Sequence, residues 1–136
     1  MNTYVKFTIK GNPIPKARMT YKSKWTKSAK RTLEYQSYVG LCYQTFCKEY
    51  FENDIFLYAI FYRADKRKVD ADNLYKSLAD GLNKIAYKDD SQIVHNECLK
   101  LYDKENPRTE VELGVFTDSM LKEILERKAQ HLSTSV

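Results

Sequence analysis

Residues 55–62 read IFLYAIFY, apolar at odd and even positions alike. A strand with one wetted face alternates; a strand apolar on both parities is central in its sheet and covered on both faces. That run fixes the architecture to a layered one, with strands on either side and helices packed against them. It also falls well short of the roughly 20 residues a membrane span needs, so no membrane association is expected.

The remaining elements fit around it. Residues 3–9 alternate, with Val5, Phe7 and Ile9 inward, and predict a half-buried strand. GNPIPKAR breaks it, because Gly11, Pro13 and Pro15 set an extended loop that presents Lys16 and Arg18; MTYKSKW then has the pattern of a short strand. Thr26 or Ser28 can cap a helix reaching about Phe51, with Tyr35, Val39, Cys42, Phe46 and Tyr50 along one face. A helix over 73–86 follows the central strand, with Leu74, Leu78, Leu82 and Ile85 buried. Strands near 91–102 and 109–116 come next, joined by a turn at 103–107. A last helix starts near Thr117 or Asp118, with Leu121, Ile124, Leu125 and Leu132 as its apolar stripe. The order β-(β)-α-β-α-β-β-α is that of an α+β fold: one domain, a mixed β-sheet with packed helices.

Charge is distributed unevenly. The net charge is +5, yet residues 1–33 hold nine Lys or Arg and no acid, a bias suited to a phosphate backbone. Three cysteines without a C-x-x-C pair read as small apolar residues of a reducing compartment. With only two histidines, a structural zinc site is not expected. Nothing at the N-terminus resembles a secretory leader, so a cytoplasmic location is expected.

The chemistry-bearing stretch is KVDADNLYKSLADGLNKIAYKDDSQI, residues 68–93. Asp70 and Asp72 stand at the start of its helix, and Asp89 and Asp90 beyond its end. Clustered carboxylates repel unless a solvated surface or a cation holds them. With Asp72 as N-cap, residues 70–72 stay extended and both carboxylates face one side, next to the positive end of the helix dipole. Lys76 emerges a turn above them, on the polar face with Asn73 and Asp80. One of Asp89 and Asp90 can join them; alternation leaves open which. Oxygen-only ligands favour Mg²⁺ or Mn²⁺. A metal ion that holds a phosphate beside a lysine describes a phosphoryl-transfer site.

DADNLYKSLADGLN with YKDDSQI closely resembles the D-x-D-N-x-x-K…D-x-L-n…D-D-x-q-[IV] pattern of the RusA family of Holliday junction resolvases. GNPIPKAR is similar to the P-x-P-K-x-R opening of many members. The resemblance implies a RusA-like nuclease domain over 1–116, with 117–136 a C-terminal helical extension packed on it. It further implies a homodimeric, Mg²⁺-dependent endodeoxyribonuclease (Mn²⁺ a possible substitute), bacterial or phage-encoded, that cuts four-way and other branched DNA symmetrically in recombination and repair. The family's metal carboxylates map onto Asp70, Asp72 and Asp90, and its essential lysine onto Lys76. Some members carry a basic residue where this chain has Val69, so DNA contact there falls to Arg67 or Lys68, joining Lys16, Arg18 and Asn73. The rival readings are a branched-DNA-binding protein that has lost catalysis and a metal-dependent nuclease with another nucleic-acid substrate.

Overall fold

The computed structural model describes residues 4–17 and 26–134; the expected MTYKSKW strand and Arg18 lie outside them. Among the described residues the chain runs β1 (Tyr4–Lys10), α1 (Lys27–Phe46), β2 (Ile55–Arg63), α2 (Ala71–Leu82), a 3-10 turn (Asp90–Gln92), β3 (Ile93–Tyr102), β4 (Arg108–Val115) and α3 (Asp118–Thr134). This is the expected α+β arrangement. The sheet order is β1-β4-β2-β3. β4 is antiparallel to both β1 and β2, whereas β3 lies parallel to β2 after the α2 crossover. The short connection 103–107 therefore straddles the end of β2. Asp103 N–H donates to the Arg63 carbonyl at 2.9 Å, and Arg108 binds Asp103 at 2.9 Å and Glu110 at 3.0 Å while lying 3.8 Å over the Tyr62 ring.

Alternation places Val5, Phe7, Ile9, Leu57, Ala59, Phe61, Val111 and Leu113 on the inner face, against Tyr35, Val39 and Tyr43 of α1 and Leu74, Leu78 and Leu82 of α2. The two helices meet at glycines. A Cβ on Gly81 would lie 2.8 Å from the Val39 Cβ and 2.9 Å from the Gln36 carbonyl oxygen, and one on Gly40 would lie 3.2 Å from the Gly81 carbonyl oxygen. Backbone contact of this kind admits no side chain.

Three expectations are corrected. β2 is central, as read, but its outer face is only partly covered: Tyr58, Ile60 and Tyr62 are half-buried, and the neighbouring Leu99 and Leu101 of β3 are exposed. α3 reaches this face at one end, where Ile124, Arg127 and Lys128 line a cleft with His95 and Glu97. α1 ends at Phe46, not near Phe51, because Cys47 takes an extended backbone and Phe51 instead bridges to Tyr87. α2 spans residues 71–82, not 73–86. Asp70, not Asp72, occupies its N-cap: the Asp70 carbonyl accepts the first-turn N–H groups of Asn73 and Leu74.

Candidate functional site

The shift of α2 by two residues changes the acid geometry. Asp72 already has helical backbone, so residues 70–72 are not the extended pair that would project both carboxylates alike. What helical Asp72 gains is a partner one turn on, the Lys76 Nζ at 3.1 Å. Asp-before-Lys at this spacing is the favourable order, yet both groups are largely exposed and the pair contributes only about 0.3–0.5 kcal/mol. The Asp70 side chain makes no capping hydrogen bond and has no partner among the described residues.

At the far end of the motif the two aspartates separate by role. Asp89 caps the 3-10 turn: its Oδ2 accepts from Ser91 N–H at 3.0 Å, and its own N–H donates to Gln92 Oε1 at 2.9 Å. Hydrogen bonds from Ser91, through its side chain first and then its backbone N–H, hold the Asp89 carboxyl below the usual carboxylate range. Gln92 Nε2 in turn donates to the carbonyls of Phe51 and Asn53, each at 2.9 Å, tying the turn to the start of β2. The Asp90 side chain is exposed and has no hydrogen-bond or ion-pair partner among the described residues. Burial first, then the charges of Asp90, Cys98 and Asp72, raise the Tyr75 hydroxyl to about 12. Tyr75 therefore feels the charge of both ends of the acidic motif.

The opening loop docks onto the same helix. Lys16 N–H donates to the Asn73 carbonyl at 2.9 Å, and its ammonium lies 2.6 Å from Asp80, which also accepts from Gln36 at 3.4 Å. Asn12 accepts from Ala64 N–H at 2.8 Å, and the buried Arg63 guanidinium donates to the Pro13 carbonyl. Ala17 N–H donates to the Thr32 hydroxyl at 2.9 Å. Of the expected DNA contacts, Lys16 is therefore engaged with Asp80. Arg67 and Lys68 are exposed, and their side chains have no partner among the described residues.

Three contributors were not read from the sequence. Asp89–Gln92 is a D-x-x-Q spacing, which carries a capping-box signal. The Lys16–Asp80 pair joins residues 64 positions apart and has no local signal. Lys100 on edge strand β3 donates its ammonium to the Val69 carbonyl at 2.6 Å, bringing positive charge next to Asp70.

Subtracting structural duties leaves a clear remainder. Asp89, Gln92, Asp80 and Gly81 hold the fold together, whereas Asp70, Asp72, Lys76 and Asp90 are exposed and linked by at most a weak ion pair. No three carboxylate, imidazole or thiol groups among the described residues are gathered closely enough to form a metal cage. That donor set still suits Mg²⁺, which takes one or two protein carboxylates and completes its shell with water and substrate phosphate.

Residues 10–114 match the sequence profile of the family described as "Endodeoxyribonuclease RusA". The chain is also similar to the "Uncharacterized protein YqaN" of Bacillus subtilis (strain 168), 50% identical over 44 residues. That match covers 32% of this chain and 30% of the relative's own length.

Proposed function

The chain belongs to the endodeoxyribonuclease RusA family, and on that premise we propose that it is a Mg²⁺-dependent endonuclease that resolves four-way DNA junctions by paired symmetric cuts. The observation that carries this reading is the division of the motif described above. Carboxylates needed for folding are hydrogen-bonded, and those the activity needs are left accessible. Asp70, Asp72 and Asp90 are the candidate ligands, of which one or two would hold the ion directly while water and substrate phosphate complete its shell, with Asp90 chosen over Asp89 because Asp89 is engaged in its cap. Bound there, Mg²⁺ would neutralise charge that develops on the phosphate.

The chain's own groups supply the rest. The Asp72–Lys76 pair is weak; were Asp72 to hold the ion, the Lys76 ammonium one helical turn on would be free to donate to a phosphate oxygen. A donor aimed at charge present mainly in the transition state acts on rate more than on affinity. Arg67 and Lys68, immediately before the acids, carry flanking phosphates.

A synthetic four-way junction, a matched duplex and a splayed arm, each with Mg²⁺ and with EDTA, test the reading. Paired cuts in the junction alone, abolished by EDTA, are expected. Junction binding without cutting in any divalent metal would instead favour a DNA-binding protein that has lost catalysis.

A further inference from the structure

A cleft lies between segment 64–69, which leads into α2, and the C-terminal end of β3. Arg63, Lys66, Arg67, Lys100 and Tyr102 line it with one acid, Asp65. That acid is already engaged: its Oδ1 accepts from Arg67 N–H at 3.0 Å and lies 3.6 Å from the Arg63 guanidinium. Arg63 is buried, with its Nε–H unpartnered. Three exposed cations, Lys66, Arg67 and Lys100, with buried Arg63 behind them, face one occupied carboxylate, so the cleft is positive.

Tyr102 gives the cleft an aromatic wall. Tyr102 is 46% exposed, and the Lys66 ammonium stands 5.2 Å from its ring centroid. A cation held over one face orients the ring, and the residue's exposure gives a stacking partner access to it. The register connects this ring to the acids. Cys98, Lys100 and Tyr102 project from the same side of β3, the side of Ala59 and Phe61 on β2. Lys100 meets the Val69 carbonyl, one residue before Asp70, and Tyr102 meets Lys66. At about 3.3 Å per residue, Tyr102 stands about 7 Å beyond Lys100 along the strand. That is about two nucleotide rises of one DNA strand.

We propose that this cleft is a nucleotide subsite in which Tyr102 stacks on a base near the branch point while Lys66, Arg67 and Lys100 hold the adjoining phosphates. The proposal rests on the nuclease reading and adds a source of preference for branched DNA. A base inside duplex DNA has both faces covered by its neighbours, whereas a base at a branch point can offer an open face to an aromatic ring. Stacking is indifferent to base identity, so the subsite would read structure and not sequence.

Equilibrium binding of a fluorescent four-way junction and of a matched duplex, both in EDTA so that nothing is cut, tests it. Tyr102→Ala should weaken junction binding about fivefold or more and leave duplex binding and the salt slope near wild type. Tyr102→Phe should bind the junction as wild type does. Arg67→Ala should lower the salt slope by about one on both DNAs. Equal junction affinity for wild type and Tyr102→Ala would overturn the subsite and leave the nuclease reading standing. A wild-type protein that binds neither DNA would overturn both.

Discussion

Asp89 and Asp90 are neighbours of identical chemistry, and the fold gives them different work. Asp89 closes a capping box, so Asp89→Ala, which removes the cap, should cost about 1 kcal/mol of stability and leave cleavage at near wild-type rate. Asp90→Asn should do the reverse, abolishing cleavage while junction binding stays or improves, because one negative charge near the phosphate is removed. Thermal melts and cleavage assays on the two variants separate the roles; lost activity in Asp89→Ala with Asp90→Asn active would reverse the assignment. Lys76→Ala should lower kcat far more than affinity, since the ammonium is held only by a weak pair with Asp72 until phosphate arrives. Lys76→Arg need not restore the rate, because a planar fork is not a point charge. Equal losses in rate and affinity would make Lys76 an ordinary electrostatic contact.

Elements show where sequence reading succeeds and where it stops. The strands β1 and β4 and the buried stripe of α2 follow from periodicity, because burial on one face imposes a repeat that the residues must obey, whereas β2 shows itself as an unbroken apolar run. Caps are harder. Asp70 and Asp72 are both good N-caps by residue type, and the choice was settled by a favourable Ala71 at the first helical position and by the Lys76 partner that a helical Asp72 gains. Long-range pairings such as Lys16–Asp80 were not legible at all. A lysine on a proline-rich loop in a basic segment has the same sequence signature whether it meets DNA or an aspartate 64 residues away. Nor was the place of β2 between β3 and β4 legible, because a five-residue connection does not say what it straddles. The helix crossing shows how much a single small residue can decide. Gly81→Ala would push a Cβ against the Val39 Cβ and the Gln36 carbonyl, both held by helix α1. It should destabilise by about 1–3 kcal/mol, measured by denaturant unfolding. A neutral effect would mean that α1 and α2 can part without loss.

At the scale of the whole molecule, buried hydroxyls set an alkaline limit, and the proposed reaction sets an expectation for the assembly. Burial lifts the Tyr35 hydroxyl to about 12, outweighing its hydrogen bond with Thr109, and lifts Tyr75 as far. Unfolded tyrosines ionise near pH 10. The folded state favours the neutral form, so this stability is complete below about pH 10 and falls as pH rises to about 12. Denaturant midpoints across that window should decline, less steeply in Tyr35→Phe. The assembly follows from the substrate. Resolving a four-way junction takes two cuts in strands related by a two-fold axis, and one chain of 16.0 kDa carries a single acidic motif. On the proposed reading, an isologous dimer would supply the second site and repeat the symmetry of the DNA. Two surfaces could form that contact: the outer sheet face with half-buried Tyr58 and Ile60 beside exposed Leu99 and Leu101, and the exposed Leu121 and Leu125 of α3. Light scattering at micromolar concentration should therefore give about twice the chain mass. Leu99→Lys should lower that mass if the sheet face forms the contact, and Leu125→Lys should do so if the helix forms it. Both leucines are exposed in the single chain, so neither change should unfold it. A mixed dimer with one Asp72→Asn subunit should nick a junction once and stop, because each subunit cuts one strand. Paired cuts by a protein that stays monomeric throughout would refute the two-fold arrangement.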